Sequence, residues 1–261
     1  MNGAGNDFVM LDNRSASVEL LPDQIRSICN RHRGIGADGI ISVEGTADNP
    51  RMRYYNADGG EAEMCGNGAR CFARFAARLK GQTEGSLQFL TKAGMISADL
   101  LSNGLIRLWM SEPHSMQIAH SLKVLDRDME VHSINTGVPH AVVFVLNVES
   151  TSVAEEGRLL RNHQRFAPAG TNVNFVQILD PGFLAIRTYE RGVEQETMAC
   201  GTGVVASALI HHMLTQAPSP ISVRVQGGET LSVGFEDEKG ALKKVTLTGP
   251  ADFVFTGAIA I

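Results

Sequence analysis

Two cysteines lie in settings that could support acid–base chemistry. Cys65 begins the stretch Cys65-Gly66-Asn67-Gly68, and Cys200 begins the similar stretch Cys200-Gly201-Thr202-Gly203. Apolar residues at helical spacing follow each stretch, which predicts two helices with a cysteine at each N-terminus. The unpaired N–H groups and positive dipole end at that position favour a thiolate and can bind a carboxylate. Two such helix ends suggest one site built from two halves.

The cysteine stretches belong to an internal repeat. Arg53-Tyr54-Tyr55-Asn56 precedes the first cysteine and Arg187-Thr188-Tyr189-Glu190 precedes the second, at an offset of 134 residues (53 to 187). A looser echo matches Gly5-Asn6-Asp7-Phe8 to Asn172-Val173-Asn174-Phe175 at an offset of 167 residues (8 to 175), which implies about thirty extra residues in the first half. Self-similarity on this scale predicts two copies of one folding unit, each with one cysteine.

Composition limits the possible functions. A chain of 261 residues with 43% apolar and 20% charged residues is typical of a globular protein of about two domains. The net charge of −5, without a basic stripe, argues against nucleic-acid and anionic-membrane partners. No run approaches the length of a membrane span and no signal peptide is recognisable, so we expect a cytoplasmic protein.

The four cysteines indicate neither a metal site nor a disulfide framework. Cys65 and Cys71 are not at a zinc spacing, and the sequence contains no CxxC or HExxH motif. Cys29 and Cys71 fall within apolar helical patterns, which favours buried core thiols. His140 follows a glycine-containing loop, and a lone histidine in a loop is more often a surface residue than a catalytic one.

The pattern of elements predicts an α/β (α+β) fold of two similar units, each a mostly antiparallel sheet curled around a central helix. Helices are predicted at 22–33, directly after Cys65, at 151–164 and at 200–214. Strands are predicted at 8–11, 52–55, 86–91, 95–101, 104–110, 129–134, 141–147, 173–179, 183–189, 221–225, 230–235 and 243–248, and the segment 33–41 is predicted as a loop that runs into a strand. A polar stretch near Pro113 divides the chain into predicted domains at 1–112 and 113–249.

Six motifs occur in order along nearly the whole chain. They are Gly3-Ala4-Gly5-Asn6-Asp7-Phe8, Tyr55-Asn56-Ala57-Asp58-Gly59, Met64-Cys65-Gly66-Asn67-Gly68-Ala69-Arg70, Gly137-Val138-Pro139-His140, Tyr189-Glu190-Arg191-Gly192 and Ala199-Cys200-Gly201-Thr202-Gly203. Together they resemble the motif set of the diaminopimelate epimerase family. The resemblance implies an isomerase without a cofactor that interconverts LL- and meso-diaminopimelate, on the route to lysine and peptidoglycan. It also implies two pseudo-symmetric domains with the substrate in the cleft between them.

The chemistry of such a reaction agrees with the cysteine pair. Inverting an α-carbon requires a base on one face and an acid on the other, and one thiolate and one thiol provide both. Developing charge on the α-carboxylate would be met by N–H groups at the two helix starts, on Gly66, Asn67, Gly201 and Thr202.

Further roles are implied by the resemblance alone. Asn6, Asn56, Asn172 and Arg191 resemble residues that hold the substrate, and Arg191 would bind the distal carboxylate. Glu190 and His140 resemble groups beside the reacting centre that orient the ammonium group or tune the thiols. A homodimer is implied, as is a C-terminal strand (250–261, mainly Phe253 to Ile261) that returns to the first domain.

Some positions depart from the family pattern, and other functions stay open. Val138 stands where many members have asparagine, Gly39 where some have glutamine, and Asn2 where histidine is frequent, which leaves the strictness for diaminopimelate undetermined. Proline racemases share the two-cysteine logic, but their first motif usually runs cysteine-glycine-histidine. Phenazine-type isomerases share the fold without the cysteine pair. A non-catalytic binding protein or a redox sensor with a Cys65–Cys200 disulfide is the alternative from another class.

Overall fold

The computed structural model describes residues 1–260 and divides into two compact units. The first unit comprises Met1–Trp109 together with the segment from Gly249, and the second comprises Met110–Thr248. Each unit has its own buried apolar core.

The first unit contains eight strands and two helices. The strands are β1 (Asn2–Gly3), β2 (Asn6–Asp12), β3 (Gly39–Gly45), β4 (Pro50–Asn56), β5 (Glu61–Ala62), β6 (Gly85–Thr91), β7 (Gly94–Leu100) and β8 (Ile106–Trp109). The helices are α1 (Pro22–Cys29) and α2 (Gly66–Leu79). Strand β2 is parallel to β3 and β4 is parallel to β6, whereas β1–β2, β3–β4, β4–β5, β6–β7 and β7–β8 are antiparallel.

The second unit contains nine strands, two helices and a short 3-10 turn at Gln164–Phe166. The strands are β9 (His114–Val124), β10 (Arg127–Asn135), β11 (Pro139–Phe144), β12 (Asn172–Asp180), β13 (Phe183–Glu190), β14 (Gln195–Thr197), β15 (Ile221–Arg224), β16 (Thr230–Glu238) and β17 (Ala241–Gly249). The helices are α3 (Val153–Arg161) and α4 (Gly201–Thr215). Here β11–β12 and β13–β15 are parallel, and the pairs β9–β10, β10–β11, β12–β13, β13–β14, β15–β16 and β16–β17 are antiparallel.

The two units have the same strand order, which confirms the internal repeat. From β1 to β8 and from β10 to β17, pairing runs antiparallel, parallel, antiparallel, antiparallel, parallel, antiparallel, antiparallel. This order matches β2 with β11 and β3 with β12. The sequence echo between Asn6 and Asn172 is therefore wrong as a repeat equivalence, since Asn6 begins β2 and Asn172 begins β12. The thirty extra residues are wrong as well, because the β2–β3 and β11–β12 connections have nearly equal lengths.

Each sheet is curled around one central helix, as predicted. Helix α2 packs against β1–β4 and β6–β8, and α4 packs against β10–β13, β15 and β16. Helix α4 is apolar on nearly all sides and is buried from Gly203 to His212, which suits a helix that a sheet surrounds. Glycine allows the helix starts to approach the sheets closely. A Cβ on Gly68 would lie 2.7 Å from Ile41 Cδ1, and one on Gly203 would lie 2.2 Å from Asn174 Oδ1.

Four details differ from the sequence prediction. Helix α1 ends at Cys29 rather than residue 33, because Asn30 adopts an extended backbone conformation. Helix α3 covers Val153–Arg161 only, and strand β9 was not predicted. The predicted C-terminal strand is not formed: Asp252 makes one bridge to Asn2, and residues 253–260 have no strand pairing. Ile261 lies outside the described residues.

Candidate active site

Cys65 is the residue directly before α2. Its backbone is extended (φ −132°, ψ 125°) and its side chain makes no cap hydrogen bond to the helix. The first backbone bond of the helix runs from Ala69 N to the Cys65 carbonyl, at 2.7 Å. A Cβ on Gly66 would meet no atom within 4 Å, so the helix start is open at this point. The half-buried cysteine therefore lies beside an uncapped, positive helix end.

A chain of hydrogen bonds orients the amides next to Cys65. The fully buried Arg70 donates from Nη2 to Asn67 Oδ1 (3.0 Å), and Asn67 Nδ2 donates to Asn6 Oδ1 (2.6 Å). Asn6 Nδ2 then donates to Asp38 Oδ2 (2.9 Å). Each amide accepts from one neighbour and donates to the next, so the orientations of Asn6 and Asn67 are both determined. The structure brings the predicted residues Cys65, Asn67 and Asn6 together through residues that sequence reasoning missed.

Arg31 fixes the carboxylate end of this chain. Its guanidinium donates two bonds to Asp7 (2.8 Å each) and one to Asp38 (2.7 Å). Burial alone would raise the pKa of Asp7, but the hydrogen bonds and charge of Arg31 hold that pKa below its usual value. Asn56 is exposed at the end of β4, where it pairs with Gly39, next to Asp38.

Cys200 has the same position in the second unit, directly before α4. It is 7% exposed, its backbone is extended, and its side chain makes no cap hydrogen bond to the helix. Its Sγ lies 3.6 Å from Thr202 Oγ1. The Thr202 carbonyl accepts a bond from Thr136 Oγ1 (3.0 Å), which attaches this helix turn to the loop before β11. Neither α2 nor α4 has an acidic residue in its first turn.

His140 is fully buried within β11, unlike a typical lone histidine in a loop. Its Nδ1 lies 3.1 Å from Asn174 Nδ2. Its Nε2 is buried without a hydrogen-bond partner among residues 1–260. Burial, assisted by the positive charge of Arg191, lowers the pKa of His140 to about 3. The imidazole is therefore neutral at physiological pH.

Glu190 is the last residue of strand β13, and Arg191 begins the turn that follows it. Glu190 Oε2 accepts a hydrogen bond from Thr197 Oγ1 (2.8 Å), and burial raises the pKa of Glu190 despite that bond. The Arg191 guanidinium donates from Nη1 to the Ala169 carbonyl, at 3.3 Å. Asn172 accepts a bond from the Arg191 backbone N–H (2.9 Å) and donates to the Pro139 carbonyl (3.1 Å). Asn172 thus joins the loop that contains Arg191 to the residue before His140.

The other two cysteines are buried core thiols, as predicted. Cys29 and Cys71 are 4% and 0% exposed. Burial raises the pKa of Cys29 to about 11 and that of Cys71 to about 12, so both remain protonated at neutral pH.

Sequence reasoning missed Asn174, Thr188, Asp38 and Arg31. A signal for Asn174 was present: it follows Asn172 by two residues in an apolar strand, so both point to one face. Across residues 1–260, no group of three or more His, Cys, Asp and Glu residues is arranged to hold a metal ion. No helix in this part of the chain is long and apolar enough to span a membrane.

The sequence matches the family model described as Diaminopimelate epimerase over residues 1–115 and 132–254. The chain belongs to the diaminopimelate epimerase family. Relatives support this membership over the full length. The chain is 41% identical to the diaminopimelate epimerase of Chlorobaculum tepidum, with 100% of both chains covered. It is 40% identical to that of Aquifex aeolicus, with 100% of this chain and 96% of the relative covered.

Solved structures of other proteins share the fold of this chain. A PhzF-family phenazine biosynthesis protein of Bacillus anthracis aligns with a TM-score of 0.69 at 18% identity, covering 96% of this chain and 92% of the other. A probable proline racemase of Agrobacterium radiobacter aligns with a TM-score of 0.67 at 18% identity, covering 92% and 82%. Members of the diaminopimelate epimerase family therefore share a fold with proteins of different chemistry, so residues of the site must carry the functional argument.

Proposed function

We propose that this chain interconverts LL- and meso-diaminopimelate by two-base proton transfer at the α-carbon, with Cys65 and Cys200 as the two bases. One observation carries the proposal: the two cysteines occupy the same step of two units with the same strand order, each directly before the central helix. The substrate is the one named for the relatives at about 40% identity.

The proposed reaction breaks one C–H bond and forms another on the opposite face of the same carbon. The Cys65 thiolate removes the α-proton and becomes a thiol, while the Cys200 thiol donates its proton and becomes a thiolate. In the reverse direction the two residues exchange roles. The pair holds one proton before and after each turnover, so the step balances without a cofactor.

The helix starts are proposed to bind the α-carboxylate, which gains negative charge as the proton leaves. First-turn N–H groups have no partner within their own helix. We assign the carboxylate to the amides of Gly66 and Asn67 in α2 and of Gly201 and Thr202 in α4. The absence of acidic residues from both first turns, within the described chain, supports this assignment because nothing there repels an anion.

The charged candidate residues are assigned to substrate groups of opposite charge. Glu190 carries an acceptor carboxylate and is assigned to the substrate ammonium group. Arg191 uses little of its hydrogen-bonding capacity within residues 1–260 and is assigned to the distal carboxylate. Asn172 positions Arg191, and Asn6 and Asn56 complete the proposed set for the distal amino-acid group. We also propose a cytoplasmic homodimer; a monomer mass in sedimentation would contradict the dimer.

The test is proton NMR of LL-diaminopimelate in heavy water with reduced protein and no added cofactor. In a two-base reaction, the first meso product carries deuterium at the inverted carbon while the remaining LL substrate keeps its proton. We expect this pattern, and we expect its loss in Cys65→Ala and in Cys200→Ala. The matched control is Cys29→Ala, which removes a buried thiol outside the proposed site.

Three results would contradict the proposal. Deuterium entering the LL substrate as fast as the product would indicate one base rather than two. Activity that survives in either Cys65→Ala or Cys200→Ala would exclude that cysteine as a base. Exchange of proline with no exchange of diaminopimelate would move the chain to the racemase alternative.

A further inference from the structure

Asn174 is a fully buried polar residue in the interior of β12. A buried carboxamide that lacks partners costs about 1–3 kcal/mol, so its hydrogen bonds must be made within the protein. Asn174 makes three of them: Nδ2 donates to the Ala141 carbonyl (2.9 Å), Nδ2 contacts His140 Nδ1 (3.1 Å), and Oδ1 accepts from Thr188 Oγ1 (3.0 Å).

These partners allow only one orientation of the carboxamide. The Ala141 carbonyl can only accept, so the atom beside it must be the amide nitrogen. Thr188 then donates to the amide oxygen. The start of α4 adds a steric constraint, because the Cβ position of Gly203 lies 2.2 Å from Asn174 Oδ1 and 3.3 Å from Cys200 Sγ. The carboxamide is therefore held against the same helix turn as the thiol.

The orientation of Asn174 determines which nitrogen of His140 carries the proton. Since the amide nitrogen donates, His140 Nδ1 must accept with its lone pair. The single proton of the neutral imidazole therefore lies on Nε2. Nε2 is the atom that is buried without a hydrogen-bond partner within the described chain. A buried N–H donor without a protein partner is available to an acceptor that enters the site.

We propose that Asn174, held by Thr188, is a positioning residue that keeps His140 as the Nε2–H tautomer and so presents a neutral donor to a carboxylate oxygen of the substrate. Of the two charged groups of an amino-acid head group, the ammonium offers no acceptor and the carboxylate does, so we assign this N–H to the carboxylate. Asn174 acts through His140 and not on the substrate itself. The inference deepens the proposed function and rests on it for the identity of the substrate.

The neutral state of His140 suits this role. An imidazole whose pKa lies near 3 keeps its Nε2 proton across the physiological range and donates without releasing it. It therefore stabilises charge on the carboxylate without competing with the two thiols for the α-proton.

The test is the tautomer of His140 in the full chain labelled with ¹⁵N-histidine. Two-bond proton–nitrogen correlations distinguish Nε2–H, Nδ1–H and doubly protonated rings, and the spectrum of His140→Gln assigns the resonance among eight histidines. In the wild type we expect the Nε2–H form from about pH 5 to pH 9, with an Nδ1 resonance typical of a hydrogen-bond acceptor.

Two variants separate positioning from packing. Asn174→Asp replaces the donor by a carboxylate, so we expect a proton on Nδ1, a His140 that titrates in the neutral range, and an acid limb in the pH–rate profile. Asn174→Leu keeps the volume, so we expect an Nδ1 resonance without a hydrogen bond and a kcat lower by roughly tenfold with KM within about twofold. Thr246→Val, which removes a hydroxyl buried in β17, should change neither spectrum nor kcat.

The outcomes are distinct from those of the proposed function. An unchanged Nε2–H spectrum in Asn174→Asp, or an unchanged Nδ1 resonance in Asn174→Leu, would overturn the inference even in an active epimerase. If the wild type fails to epimerise diaminopimelate, the proposed function fails, and the tautomer spectra still decide whether Asn174 positions His140.

Discussion

At the scale of single residues, burial acts on His140 and Glu190 in opposite directions. Burial disfavours the charged form of any side chain, so it lowers the pKa of the imidazole and raises that of the carboxyl. His140 therefore remains a neutral donor. The ionised Glu190 carboxylate is an acceptor, but burying its charge costs free energy. Groups whose environments move their pKa values apart in one region are frequent in active sites.

Glu190 should reduce the stability of the folded protein at neutral pH. Its folded pKa is raised, so the unfolding free energy falls as pH rises through 4.5 toward the folded value and stays lower above it. We expect Glu190→Gln to raise Tm at pH 7 by roughly 2–4 °C, and to have no such effect below pH 4. Thermal unfolding of both proteins across this range is the measurement.

The control for this experiment is Glu149→Gln, at an exposed glutamate. A Tm increase of equal size in the control would assign the effect to general surface charge. A lower Tm for Glu190→Gln at pH 7 would show that the carboxylate is stabilising.

His140 should make the protein sensitive to acid. Its folded pKa of about 3 lies below the ordinary 6.5, so the unfolded chain binds a proton that the folded chain does not. The unfolding free energy therefore has its full value above pH 6.5 and decreases as the pH falls from 6.5 toward 3. We expect His140→Gln to lose roughly 1–2 kcal/mol less unfolding free energy than the wild type between pH 6.5 and pH 5, measured by urea titration. Equal pH slopes for His140→Gln and the exposed-site control His114→Gln would contradict this account.

At the scale of elements, the helix starts contain two glycines with opposite surroundings. A Cβ on Gly203 would clash with Asn174, whereas a Cβ on Gly66 would point into open space. We expect Gly203→Ala to destabilise the fold by about 1–3 kcal/mol. We expect Gly66→Ala to leave stability unchanged or slightly higher, since alanine favours helix. We also expect it to raise KM, because the alanine methyl group would lie where the carboxylate is proposed to bind. Urea titrations and steady-state kinetics of both variants are the measurements. A normal KM in Gly66→Ala would show that this helix start does not bind the carboxylate.

Side-chain patterns predicted most elements but not their pairing. The central helices and most strands were predictable because their buried faces leave a periodic apolar signal. Strand β9 was not, because most residues of His114–Val124 are exposed and carry no such signal. The reverse error occurred at Phe253 to Ile261, where the family resemblance implied a strand; residues 253–260 have no strand pairing, and Ile261 lies outside the described residues. The Asn6–Asn172 mismatch has the same origin, since similar short strings do not record which strands are hydrogen-bonded.

The site shows the same division between what the sequence reveals and what requires the structure. Cys65 and Cys200 were predictable because a helix start leaves a local signature. The bonds from Asn174 to His140 and from Arg70 to Asn67 were not, because they depend on which strands and helices lie side by side. The sequence distance of 34 residues between His140 and Asn174 contains no hint of that contact.

At the scale of the whole molecule, residues 250–252, which follow the second unit in the sequence, bind to the first unit. Arg70 Nε donates to the Pro250 carbonyl (3.1 Å), Arg74 Nη1 donates to the Ala251 carbonyl (2.8 Å), and Asp252 bridges to Asn2. Removing them would leave the buried Arg70 charge with fewer acceptors, which is costly in a core.

We therefore expect a chain that stops at Gly249 to lose protection in its first unit. Hydrogen exchange should accelerate in α2 and in β1–β2, while α4 and β11–β13 keep their wild-type rates. A chain that stops at Phe255 retains all three contacts and is the matched control. Equal acceleration in both units would show that the closing segment stabilises the protein globally rather than through the first unit.

The shared strand order of the two units has a consequence for the history of the protein. A repeat of this length, with matching parallel and antiparallel steps, is what duplication and fusion of one gene would produce. A single unit contains one cysteine helix, so a two-base reaction built from identical single units would need two polypeptides. In one fused chain the two copies are free to differ. They do differ: the Arg70–Asn67–Asn6 hydrogen bonds belong to the first unit and the Thr188–Asn174–His140 hydrogen bonds to the second.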